Sequence, residues 1–119
     1  MGPEHRYRFT TTSRLKDAAS YGRVFKKARR SRDKWFTVLC RRRPVGPARL
    51  GLAISKKHCK RATGRNRIKR VIRESFRRSQ RSLSGLDIVV INQPAAADAS
   101  NAILFESLAG HWQRCQQTE

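Results

Sequence analysis

RNRIKRVIRESFR, residues 65 to 77, is the stretch whose reading decides how this chain folds. Ile68, Val71, Ile72, Ser75 and Phe76 recur at helical spacing and form one stripe that can be buried. At about 100° per residue, Asn66, Arg70, Arg73 and Arg77 gather on the opposite side. One helix therefore carries a core seam and, behind it, a ladder of planar polar and cationic groups. Guanidinium forks hold phosphate oxygens in pairs and keep their charge at any physiological pH, so the ladder suits a phosphate backbone. A solvated basic face is the ordinary alternative for such a charge run.

The flanks of this helix read as strands. Upstream, Arg49–Ser55 alternates: Leu50, Leu52 and Ile54 point one way, Gly51, Ala53 and Ser55 the other. The large side belongs against a core. The small side leaves room for a tightly packed helix or for a ligand chain lying across the sheet, and the residues alone leave both open. Before it, Trp35–Cys40 is rich in aromatic and branched residues. The intervening RRRPVGPA is a turn, so a hairpin with a long turn is expected. Downstream, Asp87–Asn92 is apolar on both faces, as in a strand paired on both sides and covered above and below. Lys56–Arg61 is a basic connector, Thr63 a candidate helix cap, and Ser79–Gly85 the end of the helix. A β-α-β crossover through the basic helix follows.

Further out, a helix is expected from Ser13 or Asp17 to about Ala28, with Tyr21, Val24, Phe25 and Ala28 at apolar spacing. Lys26–Lys34 reads as a basic surface loop. After Pro94, Asp98 or Ser100 caps a last helix with Leu104, Leu108, Trp112 and Cys115 along one side. The expected fold is α+β: a single-domain α-β sandwich on a mixed sheet of three or four strands. Residues 1–12 would be a basic, partly ordered segment and 13–119 the domain.

Composition points to a polyanionic partner. The chain has 119 residues and a net charge of +20, more than solubility requires. Residues 1–81 hold 27 Lys and Arg against four acids, whereas 82–119 hold Arg114 alone against four. Of the 28 cations 20 are arginine, which favours fitted contacts over bulk neutralisation. No apolar run reaches membrane-spanning length and no secretory h-region is present, so a cytoplasmic setting without membrane contact is expected.

Nucleic-acid hydrolysis by side chains needs a carboxylate metal clamp or an acid–base pair. Eight acids without close pairing supply neither, so no catalytic residue and no protein-held metal are expected. Cys40, Cys59 and Cys115 are odd in number and widely spaced, fitting a reducing compartment. The binding equipment falls in three groups. From Lys56 to Arg81 there are twelve cations in 26 residues, with Glu74 the one acid, one turn from Arg70 and Arg78. Tyr21 and Phe25, one turn apart, would stack on unpaired bases if exposed, although core packing suits Phe25 equally. The small face ending in Ser55 and Lys57 offers a floor and a phosphate contact. Basic patches with interleaved aromatics favour single-stranded or structured RNA.

The order RL (14–15), VF (24–25), RLGLAISKK (49–57), GRNRIKRVIRESFR (64–77) and GLDIVVI (85–91) resembles the protein subunit of bacterial ribonuclease P over roughly residues 8–115. The resemblance implies a left-handed β-α-β crossover through the signature helix. It implies docking on a catalytic RNA by Lys56, Lys60, Arg61, Arg65, Asn66, Arg67, Lys69, Arg70, Arg73 and Arg77. It also implies a cleft for the single-stranded 5′ leader of precursor tRNA, using Tyr21, Phe25, Ala53, Ser55, Lys57 and Ile91. Cleavage would be carried by the RNA, which would hold the Mg²⁺, with no obligate protein partner. Tyr21 and Leu39 stand where some relatives have phenylalanine and an aromatic residue. A ribosomal protein or general RNA chaperone would share the charge and size.

Overall fold

The computed structural model describes residues 28–43 and 46–117. The expected first helix, with Tyr21 and Phe25, and the basic segment before it lie outside them. The elements are β1 (Arg29–Arg32), β2 (Phe36–Arg42), β3 (Arg49–Ala53), α1 (Ala62–Ser79), β4 (Leu86–Asn92), a 3-10 helix (Pro94–Asp98) and α2 (Asn101–Gln116). The strands form one mixed sheet in the order β1-β2-β4-β3.

The strand that is apolar on both faces takes a central place. β4 pairs antiparallel with β2, Val38 opposite Val90, and parallel with β3, Leu52 beside Val90. The crossover from β3 through α1 to β4 is thus present. The expected hairpin is not, because β4 lies between β2 and β3. Returning through α1 sets β4 alongside β3, and a strand apolar on both faces leaves least apolar area in water when it lies in the middle. At its entrance Gly85 has φ +82°, a conformation that favours glycine. Its N–H donates to Gly46 O at 2.9 Å, bracing the turn between β2 and β3.

Arg29–Arg32, expected in a loop, is instead an edge strand on β2, with Arg29 opposite Cys40 and Ser31 opposite Val38. The charge density hid it. Arginines suit an edge because they deter pairing with another chain.

The core lies on one face of the sheet. Phe36, Val38, Cys40, Leu50, Ile88 and Val90 meet Ile68, Val71, Ile72 and Phe76 of α1 and Leu104, Leu108, Trp112 and Cys115 of α2. Both helical stripes fall as their spacing requires. Ser75, the polar member of the α1 stripe, is buried because Trp112 Nε1 donates to its Oγ at 2.8 Å. The Phe76 and Trp112 rings meet edge to face at 6.2 Å.

Capping departs from expectation at α1. Arg61 precedes the helix without a side-chain cap, and Thr63 sits inside the first turn. The connector is held from the helix instead: Arg65 Nη1 donates to Cys59 O at 3.0 Å and to Lys60 O at 2.8 Å. Ser100, not Asp98, caps α2, accepting from Ile103 N at 3.2 Å.

Candidate nucleic-acid interface

With the apolar stripe of α1 buried, its opposite side is turned outward. Asn66, Lys69, Arg70, Arg73, Glu74 and Arg77 line one shallow groove of about 400 Å³. The four residues that helical geometry gathers, Asn66, Arg70, Arg73 and Arg77, all belong to it. Glu74 does not turn to Arg70. It pairs with Arg77 one turn ahead and with Arg78, whose Nε lies 3.1 Å from Oε2. The Arg77 hydrogen bond leads in holding the Glu74 carboxyl below its usual range, so the acid is ionised and offsets the C-terminal end of the groove.

The Arg-Asn-Arg signature divides. Asn66 is exposed on the groove. Arg65 turns back to the connector carbonyls. Arg67 reaches across the helix interface, donating to Asn101 Oδ1 at 2.7 Å and to Ala96 O and Ala97 O at 3.4 and 3.3 Å. These two arginines position the helix on its neighbours. Lys56, Lys60 and Arg61 are exposed along the connector.

The second face of the sheet collects the other expected set. Ala53 and Ile91 are cross-strand partners there, packed with Leu39, Val89 and Ala28. Register extends this row through Thr37 to Arg32. Beyond β3, Ser55 N donates to Asn92 Oδ1 at 2.7 Å, and Lys57 N to Ser55 Oγ at 3.0 Å. Asn92 is fully buried, so it fixes where the chain leaves the sheet and where exposed Lys57 begins. Gln93 Nε2 donates to Thr37 Oγ1 at 2.7 Å at the same end. Sequence reasoning missed Asn92, Gln93 and Thr37; the signal was a buried amide closing an apolar strand. At the other end of the face, Asp87 is held by Arg49 through two bonds of 2.8 Å and by Arg43 Nε at 2.8 Å.

Away from these surfaces, a buried polar chain joins β1 to α2. Ser31 Oγ lies 2.7 Å from His111 Nδ1, and His111 Nε2 lies 3.1 Å from Asp33 Oδ2. Asp33 also accepts from Ser107 Oγ, Trp35 N and Phe36 N. Burial lowers the pKa of His111 against the pull of Asp33, so its neutral ring accepts from Ser31. Among the described residues, no group of three or more His, Cys, Asp and Glu is placed to hold a metal ion. No helix among them is long and apolar enough to cross a membrane.

An α+β sandwich with a cationic groove on one helix, and an apolar floor on the far side of its sheet, is a polyanion-binding domain. The family profile described as Ribonuclease P matches residues 9–116. The chain is 42% identical over 110 residues to the ribonuclease P protein component of Methylococcus capsulatus, covering 92% of this chain and 86% of that one. It is 44% identical over 108 residues to that of Vibrio parahaemolyticus, covering 91% and 92%. The RNase P protein of Staphylococcus aureus superposes with a TM-score of 0.77 at 32% identity, over 86% of this chain and 93% of that one. That of Thermotoga maritima gives 0.75 at 30% identity, over 85% and 96%. The chain belongs to the ribonuclease P protein family, and its role is that of the protein subunit in tRNA 5′ processing.

Proposed function

We propose that this subunit seats the enzyme's catalytic RNA on the α1 groove and its connector, and guides the 5′ leader of precursor tRNA across the second face of the sheet. The observation that carries the reading is the groove. Asn66, Lys69, Arg70, Arg73 and Arg77 converge on one surface directly behind a fully packed seam. Lys56, Lys60 and Arg61 extend it along the connector, while Arg65 and Arg67 hold the helix and connector in place. Cations so placed lower the repulsion between RNA segments, which reduces the demand for divalent ions. Mg²⁺ held by the RNA would supply the activated water. The residues of this chain bind and orient.

For the leader, Ala53 and Ile91 give an apolar floor and Lys57 a phosphate contact at its end. Ser55, pinned by Asn92, sets the spacing between them. Tyr21 and Phe25 belong to the proposal on sequence grounds, as stacking rings. The setting we infer is cytoplasmic. Precursors with long and with one-nucleotide leaders test the leader path. Lys57→Ala should weaken binding of the long-leader precursor by roughly three- to ten-fold, the scale of one phosphate contact at moderate salt. It should leave the short one unchanged; equal weakening of both would place Lys57 off the leader path.

A further inference from the structure

Another concave cationic site among the described residues lies at the opposite edge of the sheet. Arg29, Arg30, Ser31, Cys40, Arg114 and Gln117 line a pocket of about 310 Å³ between β1 and the last turn of α2. Three of the six are arginines and none is acidic. We propose that this pocket is a separate phosphate seat for the RNA subunit, a proposal that rests on the RNA-binding role argued above.

Two ordinary explanations fall short. Edge-strand protection accounts for arginines on β1 but not for one arriving from another element. A helix C-terminus favours one cation in its last turn, not its meeting with Arg29 from the edge strand. Arg114 is the one Lys or Arg among residues 82–119, where four acids stand. It nevertheless lines the same pocket as Arg29, and bringing two guanidinium groups to one concave surface raises the local attraction for an anion. Its guanidinium is also held in place. Arg114 Nε donates to Ser31 Oγ at 2.6 Å, and Ser31 is backed by His111 and Asp33. A fork oriented by a buried hydrogen-bonded chain is pre-organised for a phosphate.

The pocket is distinct from the α1 groove. β1 and β3 are the two outer strands, which places them about 14 Å apart at 4.7–4.9 Å per strand step. The crossover helix leaves from the far one. A folded RNA could touch both sites with two segments; the leader, on the second face, need not reach this one.

The test uses the full chain and the RNA subunit in salt titrations of affinity. Arg29 is exposed, so Arg29→Ala should keep the fold, checked by thermal melting. Losing one phosphate contact lowers the slope of log affinity against log salt by roughly 0.7–0.9, or about four- to six-fold in affinity at 150 mM salt. Lys34→Ala removes the same charge from an exposed position outside both pockets and should cost less than about two-fold. Combined with Arg70→Ala, the effects should multiply. Unchanged affinity in the folded Arg29→Ala variant would overturn the proposal. So would an equal loss in the charge control, or a loss confined to leader-bearing precursor. Arg70→Ala in the same titration keeps the cases apart: if it weakens binding while the β1 variant does not, the pocket fails and the α1 groove stands.

Discussion

Replacing Arg70 and Arg73 by alanine gives a perturbation whose size follows from counterion release. Both side chains are exposed and line the α1 groove, beside Lys69 and the Glu74-paired Arg77. If each holds one phosphate, the double variant loses about 0.7 to 0.9 of slope per contact in log affinity against log salt. Between 50 and 200 mM salt the wild-type protein should therefore lose roughly seven- to twelve-fold more affinity for the RNA subunit than the variant does. The two lines should converge near 1 M salt, because the difference is ion release and not contact area. Filter binding or fluorescence anisotropy across six salt concentrations measures both slope and intercept. Surface changes of this kind shift stability by about 0.5 kcal/mol or less, so the melting curve is a control. Parallel lines at lower affinity would mean that the helix had moved, and superimposed lines that the groove holds no RNA. Either result refutes the reasoning.

Two predictions concern the scaffold. Trp112→Phe removes the donor to buried Ser75 and should destabilise by about 2–4 kcal/mol from the unsatisfied hydroxyl and lost volume; adding Ser75→Ala should recover about 1 kcal/mol, read by urea unfolding. His111 has a lowered pKa in the fold, from burial first, with Arg114 adding to it and Asp33 opposing. Its unfolded form binds a proton more readily, so stability should fall as pH drops below about 6.5. Asp33 has burial raising its pKa, outweighed by bonds from Ser107, Phe36 and Trp35 and by His111, so its net shift is downward and it adds a further loss below about pH 4. Urea midpoints from pH 8 to 3 check both steps, and His111→Gln should remove the first.

The residues that revealed most are those with a periodic partner requirement. The α1 stripe, the α2 stripe and the doubly apolar β4 were legible because burial repeats at 3.6 or 2 residues. The groove was legible for the same reason: a buried seam fixes which residues stand opposite it. β1 was not, since Arg29–Arg32 carries no apolar alternation and gains its strand from β2 alone. The pairing of β2 with β4 was hidden because proximity in sequence favours a hairpin, and β4 enters only after the crossover. The resemblance implies that Arg65 and Arg67 dock on the RNA. Their hydrogen bonds to Cys59, Lys60, Ala96, Ala97 and Asn101 depend on where the chain returns, which spacing cannot show. Asn92 escaped notice for a like reason, its partner Ser55 lying 37 positions away.

The most direct test is cleavage of a leader-bearing precursor tRNA by a bacterial ribonuclease P RNA at Mg²⁺ too low for that RNA to act well alone. Added protein should restore cleavage at the mature 5′ end, while protein without RNA should leave the precursor intact. Specific cutting by the protein alone, or no stimulation of the RNA, would contradict the account.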